Sequence, residues 1–311
     1  MNRFINDRAF FDLVVSGQIN DRKEFDVRRG DRSNIPALSL LQYTFFSALK
    51  YQNEFENNWI LKVGVQNTLI DNTNVPGTGI LPLIPNYDAY QGGLYVTAEK
   101  QYKAFSINGG LRYDAEIQKV VAISRTIPRE ILRFSNDFHN ISSTLGINYA
   151  FTQNQSLTLS TGYAKRNPGI NELYSNGLHQ GVSGIELGDE NLRSEKSLKT
   201  TLAYKAQPSS VFSIKALAYF QAFNDYIFLQ PQNEVRLTIR GAFPLFLYEQ
   251  TNANNYGLDL STQFTLQDAL NVNLKYSYIK GDDTTQDIPV VNIQPTAING
   301  SLTYRLHQKI S

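Results

Sequence analysis

Apolar and polar residues alternate along this chain with a period of two, in segment after segment. Between Phe105 and Asp114 the odd positions are Phe105, Ile107, Gly109, Leu111 and Tyr113, and the even ones are Ser106, Asn108, Gly110, Arg112 and Asp114. Successive side chains of a strand point to opposite faces, so this pattern makes a strand with one apolar and one polar face. The rhythm recurs through Trp59, Leu61, Val63 and Val65, through Ile141, Leu145, Ile147 and Tyr149, and through Leu157, Leu159 and Tyr163. It returns at Leu198, Leu202 and Tyr204, at Leu258, Leu260 and Phe264, at Leu270, Val272, Leu274, Tyr276 and Tyr278, and at Ile298, Leu302 and Tyr304. No segment of comparable length has the helical period.

The connections narrow the architecture further. Short polar turns near residues 53–57, 99–103, 152–155, 207–209 and 267–269 alternate with long polar excursions over about residues 18–41, 68–90, 115–139, 165–196, 225–248 and 281–295. In an antiparallel meander that alternation puts every turn at one end of the strands and every long loop at the other, as in outer-membrane barrels. About a dozen strands of roughly ten residues result, each long enough to cross a bilayer at a tilt. The expected fold is all-β, an antiparallel transmembrane β-barrel, and residues 1–311 read as one domain.

Soluble sandwiches and propellers also alternate, but three features weigh against them. Tyr113, Tyr149, Tyr163, Tyr204, Tyr278 and Tyr304 sit near strand ends, where an interfacial girdle places aromatics. Polar faces such as Ser156, Thr158, Ser160 and Gly162 are small and uncharged, which suits a hydrated lumen. Structureless loops of twenty or more residues are hard to justify in a compact soluble domain.

Composition removes several chemistries. With 29 basic and 28 acidic side chains the formal net charge is +1, so no broad basic field is present to hold nucleic acid. The chain has no cysteine, which excludes disulfides, thiol nucleophiles and thiolate metal sites. An all-imidazole zinc centre would need all of His139, His179 and His307. No run of roughly 18 apolar residues occurs, so no transmembrane helix is encoded, and barrel strands remain the only means of crossing. The first residues, Met1 to Arg8, are polar and charged where a signal peptide needs an apolar stretch, which leaves an intracellular chain or a piece of something longer.

Between Arg166 and Ser197 the chain reads Arg-Asn-Pro-Gly-Ile-Asn-Glu-Leu-Tyr-Ser-Asn-Gly-Leu-His-Gln-Gly, then Ile-Glu-Leu-Gly-Asp-Glu-Asn-Leu-Arg-Ser-Glu-Lys-Ser. This resembles the signature loop of TonB-dependent outer-membrane receptors, in which Arg-x-Pro and Glu-Leu-Tyr are followed by Gly-x-His, Glu-x-Gly and a closing Leu-x-x-Glu-x-Ser. Arg22 to Ser33 with Pro36-Ala37-Leu38, Pro76 to Ile80, Asn224 to Pro231, Arg240 to Pro244 and Gly257 to Leu260 also resemble that family's barrel. Glu190, Ser194 and Gln294 stand where prolines are common in the family. The resemblance implies a barrel of about 22 strands, so the chain is expected to be a partial barrel, the later part, without the family's plug domain.

By that resemblance the protein is an outer-membrane receptor that takes up a scarce nutrient by binding and gating. The ligand expected is an iron complex, a siderophore or haem, with zinc or cobalamin, or a passive porin, as alternatives. Its partners would be a metal chelate, outer-membrane lipid, and an inner-membrane energy-coupling complex acting through a plug; no resident cofactor is implied. Candidate ligand contacts in the loop are Arg166, Glu172, Tyr174, His179, Glu186 and Asp189, with His179 the one nitrogen donor for zinc or haem iron. A solitary histidine in a solvated loop is more often unliganded, and Arg166 with Glu172 is expected to pair and hold the loop root. The cluster Arg22, Lys23, Arg28, Arg29 and Arg32 would attract an anionic chelate, or form a solvated face with Asp21, Glu24, Asp26 and Asp31. A hydrolase reading, with Ser175 or Ser183 beside His179 and Asp189, lacks a rigid strand to fix the three groups, and the chain is not expected to be an enzyme.

Overall fold

The computed structural model describes residues 2–25, 33–238, 240–266, 269–291 and 293–305. Of the basic cluster in the first long excursion, Arg28, Arg29 and Arg32, with Asp26 and Asp31, lie outside the described residues.

Twelve strands form a continuous wall: β2 (Ala9–Glu24), β3 (Leu38–Glu54), β4 (Trp59–Asn74), β5 (Asn86–Tyr102), β6 (Phe105–Ile123), β7 (Ile131–Thr152), β8 (Gln155–Arg166), β11 (Glu195–Ala206), β12 (Phe212–Thr238), β13 (Gly241–Leu266), β14 (Leu270–Asp283) and β16 (Ala297–Tyr304). Each pairs antiparallel with its neighbour in the chain, and the short β1 (Asn2–Asn6) adds to β2. Three more short strands, β9 (Asn176–His179), β10 (Gly184–Leu187) and β15 (Ile288–Pro289), belong to the long connections and join the same sheet. Among the described residues β1 has β2 as its one neighbour, and β16 has β14. The dozen-strand, all-β expectation holds.

The two rims follow as the connection lengths require. β11 emerges from the long loop at Glu195 and runs down to the short turn after Ala206. The tight turns carry the residue types their geometry needs. Asn58 and Lys103 adopt positive φ (61° and 53°), and at the first turn Asn6 Oδ1 accepts the amides of Arg8 and Ala9 at 2.9 and 2.8 Å.

The apolar face of the wall is exposed. Leu94, Leu111, Ile141, Leu145, Leu159, Leu198 and Leu202 each show roughly half of their surface, whereas Gln118 and Asn140 on the opposite face are buried. A water-soluble fold would do the reverse, since an exposed apolar area this continuous is unfavourable except against another apolar phase. Aromatics fringe the belt at the short-turn rim, where Phe11 lies 5.1 Å from Tyr51, Phe105 4.6 Å from Tyr149 and Phe212 4.7 Å from Phe264. Lys100 Nζ stands 5.2 Å above the Trp59 ring there. Tyr113, Tyr163 and Tyr278 fringe the belt on the other side. From Phe105 to Tyr113 the strand rises about 26 Å at ~3.3 Å per residue, and a tilt of roughly 40° turns this into about 20 Å across the bilayer, near the ~25 Å band of outer-membrane barrels.

The strands do not stop at the membrane. β6 and β7 stay paired to Ile123↔Ile131, and β12 and β13 to Thr238↔Gly241. The expected long excursions at 115–139 and 225–248 are thus mostly hairpin, with 124–130 left as the loop between β6 and β7. Beyond the bilayer the outward face carries Asp71, Asp88, Lys119, Arg133 and Asp137 in place of apolar residues. The outward face meets water there, so alternation ends while backbone pairing continues.

Candidate functional site

The long connection 167–194 between β8 and β11 folds onto the inward face of the wall instead of standing out into solvent. Its root is the Arg-Asn-Pro stretch. Asn167 Nδ2 donates to Glu116 Oε2 at 2.7 Å, and Asn167 Oδ1 accepts from Asn140 Nδ2 at 2.6 Å and from Ser194 Oγ at 2.8 Å. The buried Pro168 presents its carbonyl to Gln118 Nε2 at 3.3 Å. Glu116, Gln118, Asn136 and Asn140 share the inward parity of β6 and β7, and they make the socket for the loop.

A single helical turn, α1 (Ile170–Tyr174), follows. Glu172 Oε2 accepts the Gly169 amide at 2.7 Å, which satisfies one of the orphan donors at the start of the turn. Both carboxylate oxygens of Glu172 also accept from Arg166 Nη1, at 3.1 and 2.8 Å, and Arg166 Nη2 reaches Glu195 Oε2 at 3.3 Å. Glu195 in turn accepts the Ile227 amide at 3.0 Å. Arg166 therefore clamps both ends of the loop. Leu173 packs with Leu192 and Ile227 beneath Phe138, Tyr174 and Tyr248 in a small apolar core. An Arg166→Ala variant leaves two largely buried carboxylates without their cation, and should cost the loop about 2–3 kcal/mol. Amide exchange across 170–187 should rise at least tenfold while the wall exchanges as before; an unchanged loop would show that the clamp contributes nothing.

β9 and β10 form a miniature hairpin, and β10 pairs parallel with the membrane-distal part of β13 through Ile185↔Leu245, Glu186↔Phe246 and Leu187↔Leu247. His179 Nδ1 lies 2.7 Å from Glu186 Oε1 across this hairpin. Tyr248 Oη donates to Glu186 Oε2 at 3.4 Å, and Asn171 Nδ2 donates to Tyr248 Oη at 3.2 Å. Burial, reinforced by the Glu186 carboxylate, pushes the Tyr248 phenol up to about 12. It is a neutral donor at any physiological pH.

Of the six candidate residues, the structure joins Arg166 with Glu172 and His179 with Glu186. Tyr174 turns to Asn136, whose Nδ2 lies 2.9 Å from the phenol, and stacks on Phe134 at 4.7 Å. Asp189 Oδ1 accepts the amide and side chain of Asn191, both at 2.9 Å, in a turn of its own. Among the described residues no three His, Asp or Glu side chains gather as a metal site. The serines do not form a hydrolytic pair either. His179 faces Glu186, and the buried Ser175 Oγ has no hydrogen-bond partner among the described residues.

Two adjoining cavities open beside the loop at the long-loop rim. The larger, about 1260 Å³, lies between residues 76–85, the 124–130 loop and residues 188–191. The smaller, about 630 Å³, is walled by β9, β10, Tyr248, residues 79–84 and the end of the β12–β13 hairpin. Sequence reasoning missed Asn167, Glu195, Tyr248 and Arg125 as structural members of this region. Strand parity was the one available signal, and it marks them only as polar inward positions or loop residues.

A wall with an apolar exterior, short turns on one rim and a folded, cavity-lined loop on the other is the wall of a transmembrane β-barrel with a vestibule at its long-loop rim. The family model described as TonB dependent receptor-like, beta-barrel matches residues 3–309, and the chain belongs to that family. Proteins of this family are outer-membrane transporters. The chain is similar in fold to the copper transporter OprC (15% identity, TM-score 0.73, covering 97% of this chain and 48% of that one). It is similar to the FrpB iron transporter from Neisseria meningitidis (15%, 0.60, 97% and 46%) and to the hemophore receptor HasR of Serratia marcescens, solved with its hemophore HasA and heme (14%, 0.65, 96% and 56%). The chain spans about half the length of these structures.

Proposed function

We propose that this chain supplies the wall and ligand-facing vestibule of a receptor for energy-coupled uptake of a metal complex, an iron chelate or haem. The observation that carries the reading is the inward fold of loop 167–194. A passive pore gains nothing from closing its own mouth, whereas a receptor needs a shaped pocket there. The structural relatives, among them a copper transporter, an iron transporter and a hemophore receptor solved with heme, support a metal cargo. An energy-coupling partner in the inner membrane would act through a plug domain.

Within this reading His179 has a specific task. His179 lines the smaller cavity, and with Nδ1–H donated to Glu186 the neutral imidazole has its Nε2 lone pair to offer, an arrangement that suits a nitrogen ligand to haem iron or zinc. A ferric chelate already saturated by its own oxygens needs only cations and aromatic surface. The test is accumulation of radiolabelled iron, as haem and as a ferric siderophore, by cells expressing the intact protein with and without an inner-membrane proton gradient. Gradient-dependent uptake is expected, and His179→Ala should reduce haem uptake at least tenfold if His179 ligates and leave siderophore uptake unchanged. Equal, gradient-independent entry of all small solutes would establish a porin instead.

A further inference from the structure

Arg125 stands in the vestibule wall with no carboxylate partner among the described residues. Of the described residues that line the smaller cavity, four are arginines (Arg22, Arg125, Arg236 and Arg240) and two are glutamates (Glu24 and Glu186), a formal excess of positive charge. Arg22 is paired with Glu24, Arg236 with Glu234, and Glu186 with His179. Arg125 donates through Nη2 to one backbone carbonyl, that of Pro82, at 3.3 Å, and makes no ion pair among the described residues. Its neighbour in the 124–130 loop, Arg129, also makes no ion pair among the described residues, and donates to the Ser124 carbonyl at 3.1 Å. Two guanidiniums of like charge are thus held near one another with no carboxylate paired to either among the described residues. Arg125 stays open to solvent at the cavity wall, and its partial desolvation and the field of Arg129 both press its pKa downward.

The surroundings point the same way. Arg125 lines both cavities, at their junction. A side chain at Gly177 would collide with Arg125 Nη2, so the glycine, at φ +154°, leaves the room in which the guanidinium sits. Ser175, two residues earlier and lining both cavities, is 3% exposed, and its Oγ finds no partner among the described residues. A guanidinium presents a planar fork of N–H donors that matches a carboxylate with two parallel bonds, a geometry that an ammonium cannot copy.

We propose that Arg125, seated against Gly177 at the junction of the two cavities, anchors a carboxylate carried by the ligand, with Arg129 adding charge. The inference rests on the uptake reading and adds to it a ligand class, a metal complex bearing free carboxylate. The carboxylates of Glu130, Asp189 and Glu190 line the larger cavity only. They disfavour a polyanion there and leave the smaller cavity as the seat of the charge.

The test is equilibrium dialysis of radiolabelled citrate, and separately of inorganic phosphate, against the intact protein extracted from outer membranes. Saturable citrate binding is expected. Arg125→Ala should weaken it at least thirtyfold and Arg125→Lys about tenfold, since the charge stays but the fork is lost, while loop protection from proteolysis stays as in the parent. Phosphate should bind more weakly than citrate and be less sensitive to the lysine replacement. Citrate binding unchanged in Arg125→Ala, or no saturable citrate binding by the parent up to 10-fold above a millimolar range, overturns the proposal. Because dialysis does not require transport, a protein that binds citrate through Arg125 but carries no metal complex would refute the uptake reading alone. One that accumulates a metal complex equally well with Arg125→Ala, and binds no citrate, would refute the anchor alone.

Discussion

Placing an arginine at Leu202 should cost about 2–4 kcal/mol of barrel stability, the value for a cation at the bilayer midplane on a lipid-facing position. The same residue at Thr201, next in the chain, should cost less than about 1 kcal/mol. Leu202 points outward from β11, 45% exposed and in register with Leu159 and, one strand further, Ile147 in the belt. Thr201 points inward, opposite Ser160 and Tyr219. The contrast arises from the medium alone, because backbone, strand and partner strands are shared. If the outward face met water, Leu202→Arg would be an ordinary surface change within roughly 0.5 kcal/mol. The measurement is the denaturant midpoint of each variant folded into lipid vesicles. A Leu202→Arg variant that folds as well as Thr201→Arg would end the membrane reading of this face.

Gly188→Val should detach the loop while leaving the wall intact. A Cβ at Gly188 would lie 2.5 Å from the Leu173 carbonyl carbon and 2.6 Å from both the Leu173 oxygen and the Tyr174 nitrogen. All three are backbone atoms of α1 and cannot turn aside as a side-chain tip can. The close approach exists because the Gly188 amide donates to the Ser175 carbonyl at 2.7 Å and the Asp189 amide to the Glu172 carbonyl at 3.0 Å. Losing both bonds and the packing of Leu173 should cost about 3 kcal/mol or more. Proteolysis between residues 175 and 190 should become rapid, with unaltered heat-modifiable migration of the barrel. Protection equal to the parent's would show that the loop tolerates a different path.

How much of this was legible depends on which solvent each residue meets. In the bilayer one face must be apolar, so Leu111, Leu145 and Leu159 announce their strands, and Tyr113 and Tyr163 announce the boundary. Above the bilayer that requirement lapses, and Asp71, Lys119 and Asp137 occupy outward positions that read as loop although the backbone remains paired. The pairing of Arg166 with Glu172 was foreseeable, because a buried charge needs a partner. The third member, Glu195, lies 29 residues further on and reads as an ordinary charge at a strand start. Arg125 is one of many arginines in polar segments. Its isolation from carboxylates is a property of three-dimensional arrangement, with no local sequence signal.

Each wall strand pairs with the strand next to it in the chain, and that arrangement orders events in time. Closing a hairpin between consecutive wall strands costs a loop entropy that grows only slowly with loop length, so even the connection 167–194 adds little to it and the wall can grow one hairpin after another. The contact of β10 with β13 is of another kind. It brings Ile185 to Leu245 across roughly sixty residues, and β13 offers that edge only after it has zipped onto β12. The vestibule is therefore the last part of the molecule to take shape: the membrane wall comes first and the folded loop at its rim afterwards.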